Sequence, residues 1–286
     1  MNGLKPHEIF NLVLSTAFRV ARFNRSDLKD KTTMRRLRRL WLIIPVILLI
    51  AIGGFVVWAS TPSGVLMQEA QIALESDDQV QVSRDRWLVF EPAATPPTTG
   101  LIYYPGGRVQ PEAYAPLARE IAKAGYLVVI VPMPLNLAVL GANRADEVIA
   151  AFPEIRAWAI SGHSLGGSFA ANYAAQHPGK VQGLIIMAAY PQASDSLAAR
   201  DDLVVMSIYG TLDGLARPDQ VEGSRVYLPS DAEFVPLDGG NHAQFGWYGA
   251  QAGDNEATIT RADQTEQIVN AVLRVLQAIT LDSNGS

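Results

Sequence analysis

Three side chains that could together activate an oxygen nucleophile occur in the order Ser, Asp, His. They are Ser164 in "GHSLGG", Asp213 in "IYGTLDG" and His242 in "LDGGNHAQFG". A serine hydroxyl attacks a carbonyl only when a base removes its proton. The sequence offers four histidines, at positions 7, 163, 177 and 242. His7 precedes a long apolar run. His163 adjoins the serine, so its side chain is expected to point away from Oγ, and His177 in "QHPGK" closes a helical pattern. His242 is left as the base. An imidazole base needs a carboxylate to fix its tautomer and stabilise its cation. Asp213, just past an apolar strand pattern, suits that role; Asp238, nearer to His242 in sequence, competes for it. The oxyanion of acyl transfer also needs N–H donors. Leu165, at the head of a helix, offers one, and Gly107 or Arg108 in "YYPGGRV" a second. Cysteine is absent, which excludes thiolate nucleophiles, disulfides and cysteine metal sites, and no metal site is expected.

These residues need elements to hold them. The apolar runs "GLIYY", "YLVVIV", "IRAWAI", "GLIIMAA", "LVVMSIY" and "AEFVPL" have strand length, and most are apolar on both faces, as covered parallel strands are. "QVQV" and "RWLVFEP" alternate and read as antiparallel strands opening the sheet. Between them lie helical patterns. "PEAYAPLAREIAKAG" places Tyr114, Leu117, Ala118 and Ile121 on one side and stops at Gly125, while "DQTEQIVNAVLRVLQAI" opens on a capping-box pattern at Asp263 and Glu266. Strands alternating with helices predict an α/β fold with a mostly parallel, doubly wound sheet, whose ligands sit beyond the carboxyl ends of the strands. Ser164 falls on such an end, with Gly162 and Gly166 two positions to either side. That is the pattern of a strand-to-helix turn that lifts a nucleophile clear of its neighbours.

Charge divides the chain unevenly. Residues 1–60 hold ten Lys/Arg against three acids, a net +7, leaving 13 basic against 25 acidic residues, a net −12, for the rest. An acidic body argues against nucleic acid as a partner. The basic residues precede "LWLIIPVILLIAIGGFVVWAS", residues 40–60, which contains no charge and reaches the roughly 20 residues that a membrane crossing needs. The expected organisation is a basic cytoplasmic segment 1–39, a transmembrane anchor 40–60 and a catalytic domain 61–286 outside the cytoplasm, since Arg35, Arg36, Arg38 and Arg39 should stay inside. A signal peptide cleaved near "VWA" and a buried core helix are the competing readings. Residues 8–23 could lie as a helix on the inner membrane surface.

The order Ser–Asp–His behind a glycine loop, and "GHSLGG" itself, closely resemble the α/β-hydrolase superfamily over about residues 100–278. Within it the chain looks most like the small, capless dienelactone-hydrolase-like branch, in particular membrane-anchored bacterial members of the fold-5 group. The resemblance implies an eight-stranded sheet and hydrolysis of an ester or related acyl bond without a cofactor. Dienelactone hydrolases proper place cysteine where this chain has Ser164, and many esterases have His-Gly where this chain has Pro105-Gly106. Only "PQASDSLAARDD" separates the two strands between which many members insert a lid, so no lid domain fits. Pocket walls must then come from short loops: residues 133–141, Tyr104, Tyr190, and Phe245, Trp247 and Tyr248 after the histidine. The expected partners are a small acyl-ester substrate and the lipid bilayer, with no obligate protein partner. An acyltransferase using the same acyl-enzyme, or an inactive hydrolase fold that only binds, are the alternatives.

Overall fold

The computed structural model describes residues 31–285, and its contacts divide the chain into two compact units, one ending at Trp58 and one starting at Ala59. The first contains most of helix α1 (Lys31–Ser60), which includes Pro45 and the pair Gly53-Gly54. The helix already includes residues 31–39, ahead of the expected start at residue 40. The stretch "KTTMRRLRR" carries no Gly or Pro, and its Met, Leu, Arg and Lys are good helix formers, so nothing stops the helix there. Ile43–Ser60 has a mean hydropathy of 2.5 with 6 % of the window buried, so among the described residues one helix is long and apolar enough to cross a membrane. The suggested surface helix over residues 8–23, and His7, lie outside the described residues.

The second unit is built on one eight-stranded sheet: β1 (Val80–Ser83), β2 (Leu88–Pro92), β3 (Thr99–Tyr104), β4 (Leu127–Ile130), β5 (Ala157–His163), β6 (Gly183–Met187), β7 (Val204–Gly210) and β8 (Glu233–Leu237). Their order across the sheet is β1-β2-β4-β3-β5-β6-β7-β8. β1 and β2 pair antiparallel, β2 and β4 likewise, and every pair from β4 to β8 is parallel. Each of the eight strand patterns read from the sequence has its strand here.

Helices cover both faces. α2 (Gln68–Ile72), α3 (Ala115–Lys123) and α7 (Arg261–Gly285) lie on one side, and α4 (Ala145–Ala151) and α5 (Leu165–Gln176) on the other; α6 (Pro218–Gly223) follows β7. The strand period of two sorts the core between these faces. Leu101 and Tyr103 of β3 join the layer under α3 and α7, whereas Ile102 and Tyr104 join the layer under α4 and α5. Helix α3 is preceded by a 3-10 turn, Pro111–Tyr114, and ends where Gly125 takes φ +100°, the left-handed cap that the sequence suggested. The cap of α7 is a correction. The reciprocal pair is Thr260 and Asp263, not Asp263 and Glu266: Thr260 Oγ1 accepts the Asp263 N–H at 3.1 Å, and Asp263 Oδ2 accepts the Thr260 N–H at 3.3 Å. A hydroxyl three residues upstream of the expected cap at Asp263 offered the helix an earlier start. Between β6 and β7 the chain makes a loop with one 3-10 turn, Ala193–Asp195, and no lid.

Candidate active site

β5 runs into α5 through a single residue, Ser164, at φ 53° and ψ −123°. No L-residue adopts that backbone cheaply, so the surrounding packing must impose it. A Cβ on Gly162 would lie 2.4 Å from the Gly166 carbonyl carbon, and one on Gly166 would lie 2.1 Å from the Tyr104 carbonyl oxygen. Only glycine at both positions lets strand, turn and neighbouring strand approach this closely. The Ser164 N–H is tied to the Met187 carbonyl of β6 at 2.9 Å, which fixes the turn to the sheet. The hydroxyl thus sits half-buried at the carboxyl edge, at the head of a helix.

Two strands away, the chain past β7 delivers Asp213, and the chain past β8 delivers His242. Asp213 Oδ2 and His242 Nδ1 are 2.8 Å apart, with the two side chains 0 % and 2 % exposed respectively. The other oxygen of Asp213 accepts the N–H groups of Leu215 and Ala216 at 2.8 and 2.7 Å. Its carboxylate is therefore oriented by its own loop, and Nδ1 of His242 carries the proton that the pair shares. Nε2 of His242 is buried without a hydrogen-bond partner, so no such bond joins it to Ser164. Catalytic bonds of this kind are often long before substrate binds. Asp238 is exposed and accepts a bond from Thr211 Oγ1, leaving Asp213 as the carboxylate at the imidazole.

His163 packs against His242. Its ring centroid lies 4.5 Å from that of His242, and it stacks on Phe245 at 5.4 Å and 11°. Nδ1 meets the Tyr114 hydroxyl at 2.9 Å, and that hydroxyl accepts the Gly106 N–H at 2.9 Å. Burial, followed by the charge that His242 can carry, holds His163 well below the usual imidazole range, so it is neutral. Burial also pushes the Tyr114 phenol well up.

The glycine loop after β3 lies beside the head of α5: a Cβ on Gly107 would be 3.2 Å from Leu165 Cδ2. Among the described residues no acceptor engages the N–H of Gly107 or of Leu165. Arg108 is a correction as a donor. At φ 60° it turns its N–H onto the Asn136 carbonyl at 2.8 Å, because Leu135 and Asn136 themselves take left-handed backbone and present that oxygen. The loop is held from its outer side as well, by Ser63 N–H on the Arg108 carbonyl at 2.8 Å and by Arg108 Nε on the Thr61 carbonyl at 3.0 Å.

Two expected pocket residues are also corrected. Tyr104 is fully buried, its hydroxyl donating to the Ala142 carbonyl and accepting the Ala145 N–H, both at 2.8 Å, so it anchors the start of α4. Phe245 is 2 % exposed and is used against His163. Tyr190 stays half-buried, its carbonyl accepting Ser168 Oγ at 3.1 Å. Tyr114, His163 and Gln264 went unassigned in the sequence. The fully buried Gln264 brackets Asn241, accepting its N–H at 3.1 Å and donating to its carbonyl at 2.9 Å, which seats the residue before His242.

A search of curated proteins finds no match. Among solved structures, Est1E from Butyrivibrio proteoclasticus with bound ferulic acid superposes with a TM-score of 0.52 at 10 % identity, covering 71 % of this chain and 98 % of that one. A "predicted CIB-like hydrolase" from Thermoplasma acidophilum gives 0.50 at 13 % identity, over 68 % and 97 %. At such identities the likeness concerns the fold. The sequence profile of the alpha/beta hydrolase family matches residues 100–266, more than half of the chain, spanning β3, the Ser164 turn, Asp213 and His242. The chain belongs to the alpha/beta hydrolase family.

Proposed function

We propose that the protein is a serine hydrolase that cleaves carboxylic esters through Ser164, His242 and Asp213. The observation that carries this reading is the buried 2.8 Å contact between Asp213 and His242, with the opposite imidazole nitrogen left unbonded at the sheet edge that bears the strained serine. Ser164 Oγ attacks the ester carbonyl carbon while His242 Nε2 takes its proton. The oxyanion that forms is received by the N–H groups of Leu165 and Gly107. His242 then protonates the departing alkoxide, and the acyl group remains on Oγ. Water attacks the acyl-enzyme, giving its proton to Nε2, and the acid leaves as Oγ is reprotonated. Asp213 keeps Nδ1 protonated throughout and stabilises the imidazolium. No cofactor enters this sequence.

The same reading places the protein at a membrane through α1, with the hydrolase unit outside the cytoplasm. Supporting it are the Ile43–Ser60 window, with a mean hydropathy of 2.5 and 6 % of it buried, and the arginines before it.

A fluorophosphonate probe on the full chain in detergent tests the chemistry. Labelling and hydrolysis of short-chain esters should both vanish in Ser164→Ala. Labelling that survives this substitution, or an unlabelled wild type inert to esters, rules the reading out. Alkaline carbonate should leave the protein in the membrane pellet, and protease added outside intact cells should digest the hydrolase unit; its release or protection refutes the placement.

A further inference from the structure

Between β8 and α7 one side chain touches the backbone on both sides of the acid–base pair. Asp254 Oδ1 accepts the N–H of Gly214 at 3.0 Å and of His242 at 3.3 Å, and Oδ2 accepts the N–H of Ala243 at 2.8 Å. Gly214 directly follows Asp213. A fourth bond, from the Asn255 N–H at 2.9 Å, fixes the carboxylate within its own loop. Four main-chain donors thus converge on the carboxylate, three on Oδ1 and one on Oδ2. Arg261 grips the histidine turn by its carbonyls: Nη1 donates to Ala243 at 2.5 Å and to Gly246, and Nη2 to Gly249 at 3.1 Å. Ala243 therefore has its N–H on an anion and its carbonyl on a cation.

Three of the four Asp254 bonds join the Asp213 loop and the His242 loop to a common anion. Bonds to an ionised acceptor are shorter and about twice as strong as neutral ones, so the anion acts as a cross-link. Resting on the serine-hydrolase reading, we propose that Asp254 is a positioning residue that sets the reach between Asp213 and His242, and hence the direction in which His242 Nε2 faces Ser164.

The test uses the full chain in detergent. In Asp254→Ala, kcat for a p-nitrophenyl ester should fall about 100-fold with KM within about twofold, the loss expected for an ångström-scale misplacement of a catalytic group. Asp254→Asn keeps one acceptor oxygen and should lose about tenfold, the value of roughly one hydrogen bond. Asp238→Asn, on an exposed carboxylate close in sequence to the same histidine, should match the wild type. A second measurement needs no turnover: the low-field proton resonance of His242 Nδ1–H should move or broaden in Asp254→Asn. Should Asp254→Ala fail to fold, the asparagine variant carries both readouts. Wild-type kcat, pH profile and resonance in Asp254→Asn overturn the proposal. A resonance that shifts in a protein without Ser164-dependent turnover overturns the hydrolase reading and leaves the cross-link standing.

Discussion

Tyr114→Phe removes a single oxygen from the layer beneath the candidate site. Tyr114 is 1 % exposed, and its hydroxyl pairs with two buried groups, the Gly106 N–H and His163 Nδ1, each at 2.9 Å. A Cβ placed on Gly106 would lie 2.8 Å from His163 Nδ1 and 2.9 Å from the hydroxyl, so the surroundings are tight, and an oxygen-sized gap is too small to admit a bridging water. Each orphaned polar group costs about 1–3 kcal/mol, so the pair costs about 2–6 kcal/mol. For a unit of this size 1 kcal/mol moves Tm by about 2–4 °C, and a mid-range loss of about 4 kcal/mol lowers it by about 8–16 °C. The control is Tyr103→Phe. Tyr103 is equally buried, with its ring centroid 4.7 Å from that of Tyr114, but among the described residues its hydroxyl meets only the Met187 thioether, at 3.7 Å. A thioether is a weak acceptor, so the same deletion there should cost under about 1 kcal/mol. Thermal melts near pH 8 compare the two without interference from histidine protonation. Equal shifts in the two variants would refute the view that Tyr114 is held by polar pairing rather than by its ring.

The neutrality of His163 predicts an acid-side loss of stability. Burial first, then His242, depresses its folded-state pKa well below the ordinary value, so below about pH 6.5 the unfolded chain takes a proton that the folded chain refuses. Stability from this residue is whole above that value and declines as pH falls, by up to about 1.4 kcal/mol per unit. His163→Gln should flatten the fall in Tm between about pH 7 and pH 5, and an unchanged slope would place the acid sensitivity elsewhere. Gly166→Ala would put a methyl group 2.1 Å from the Tyr104 carbonyl oxygen and 2.4 Å from that of Pro105, both main-chain atoms. Its cost should reach about 3 kcal/mol or more, seen as loss of soluble protein or of a cooperative melt. Gly223→Ala, where a Cβ meets nothing within 4 Å, should be harmless.

The parts of this fold that were legible in the sequence are those whose constraints lie within a few neighbouring residues. Strands buried on both faces show as unbroken apolar runs, and each run found its strand. The elbow was legible because Gly162, Ser164 and Gly166 act on one another directly. Misreadings arose where a residue type was compatible with two environments. Tyr104 at a strand end looked like a pocket wall, yet the strand alternation turns it under α4, where its hydroxyl satisfies Ala142 and Ala145. Arg108 looked like an oxyanion donor until two left-handed residues far along the chain, Leu135 and Asn136, supplied an acceptor for its N–H. Nothing in the spacing of "MPLNLAVLG" announces that backbone.

The candidate triad and its supports differ in a physical respect that decides which of them a sequence can reveal. In the proposed reaction Ser164, Asp213 and His242 act side chain on side chain, so chemistry restricts all three positions to a few residue types, and elimination among four histidines singles out one candidate base. Asp254 acts on main-chain N–H groups of Gly214, His242 and Ala243, and Arg261 acts on carbonyls of Ala243, Gly246 and Gly249. Every residue except proline offers that N–H, and every residue offers that carbonyl, so the partner positions carry no signature. The supporting residue then looks like any charged residue in a polar loop. Yet its effect on reaction geometry can rival that of a triad member, because an imidazole displaced by an ångström forfeits much of what its chemistry supplies. Here the candidate groups ride on separate loops past β7 and β8, and the Asp254 cross-link holds one loop to the other. The anion that ties the Asp213 and His242 turns together is therefore where a loss of activity without a loss of fold should first be sought.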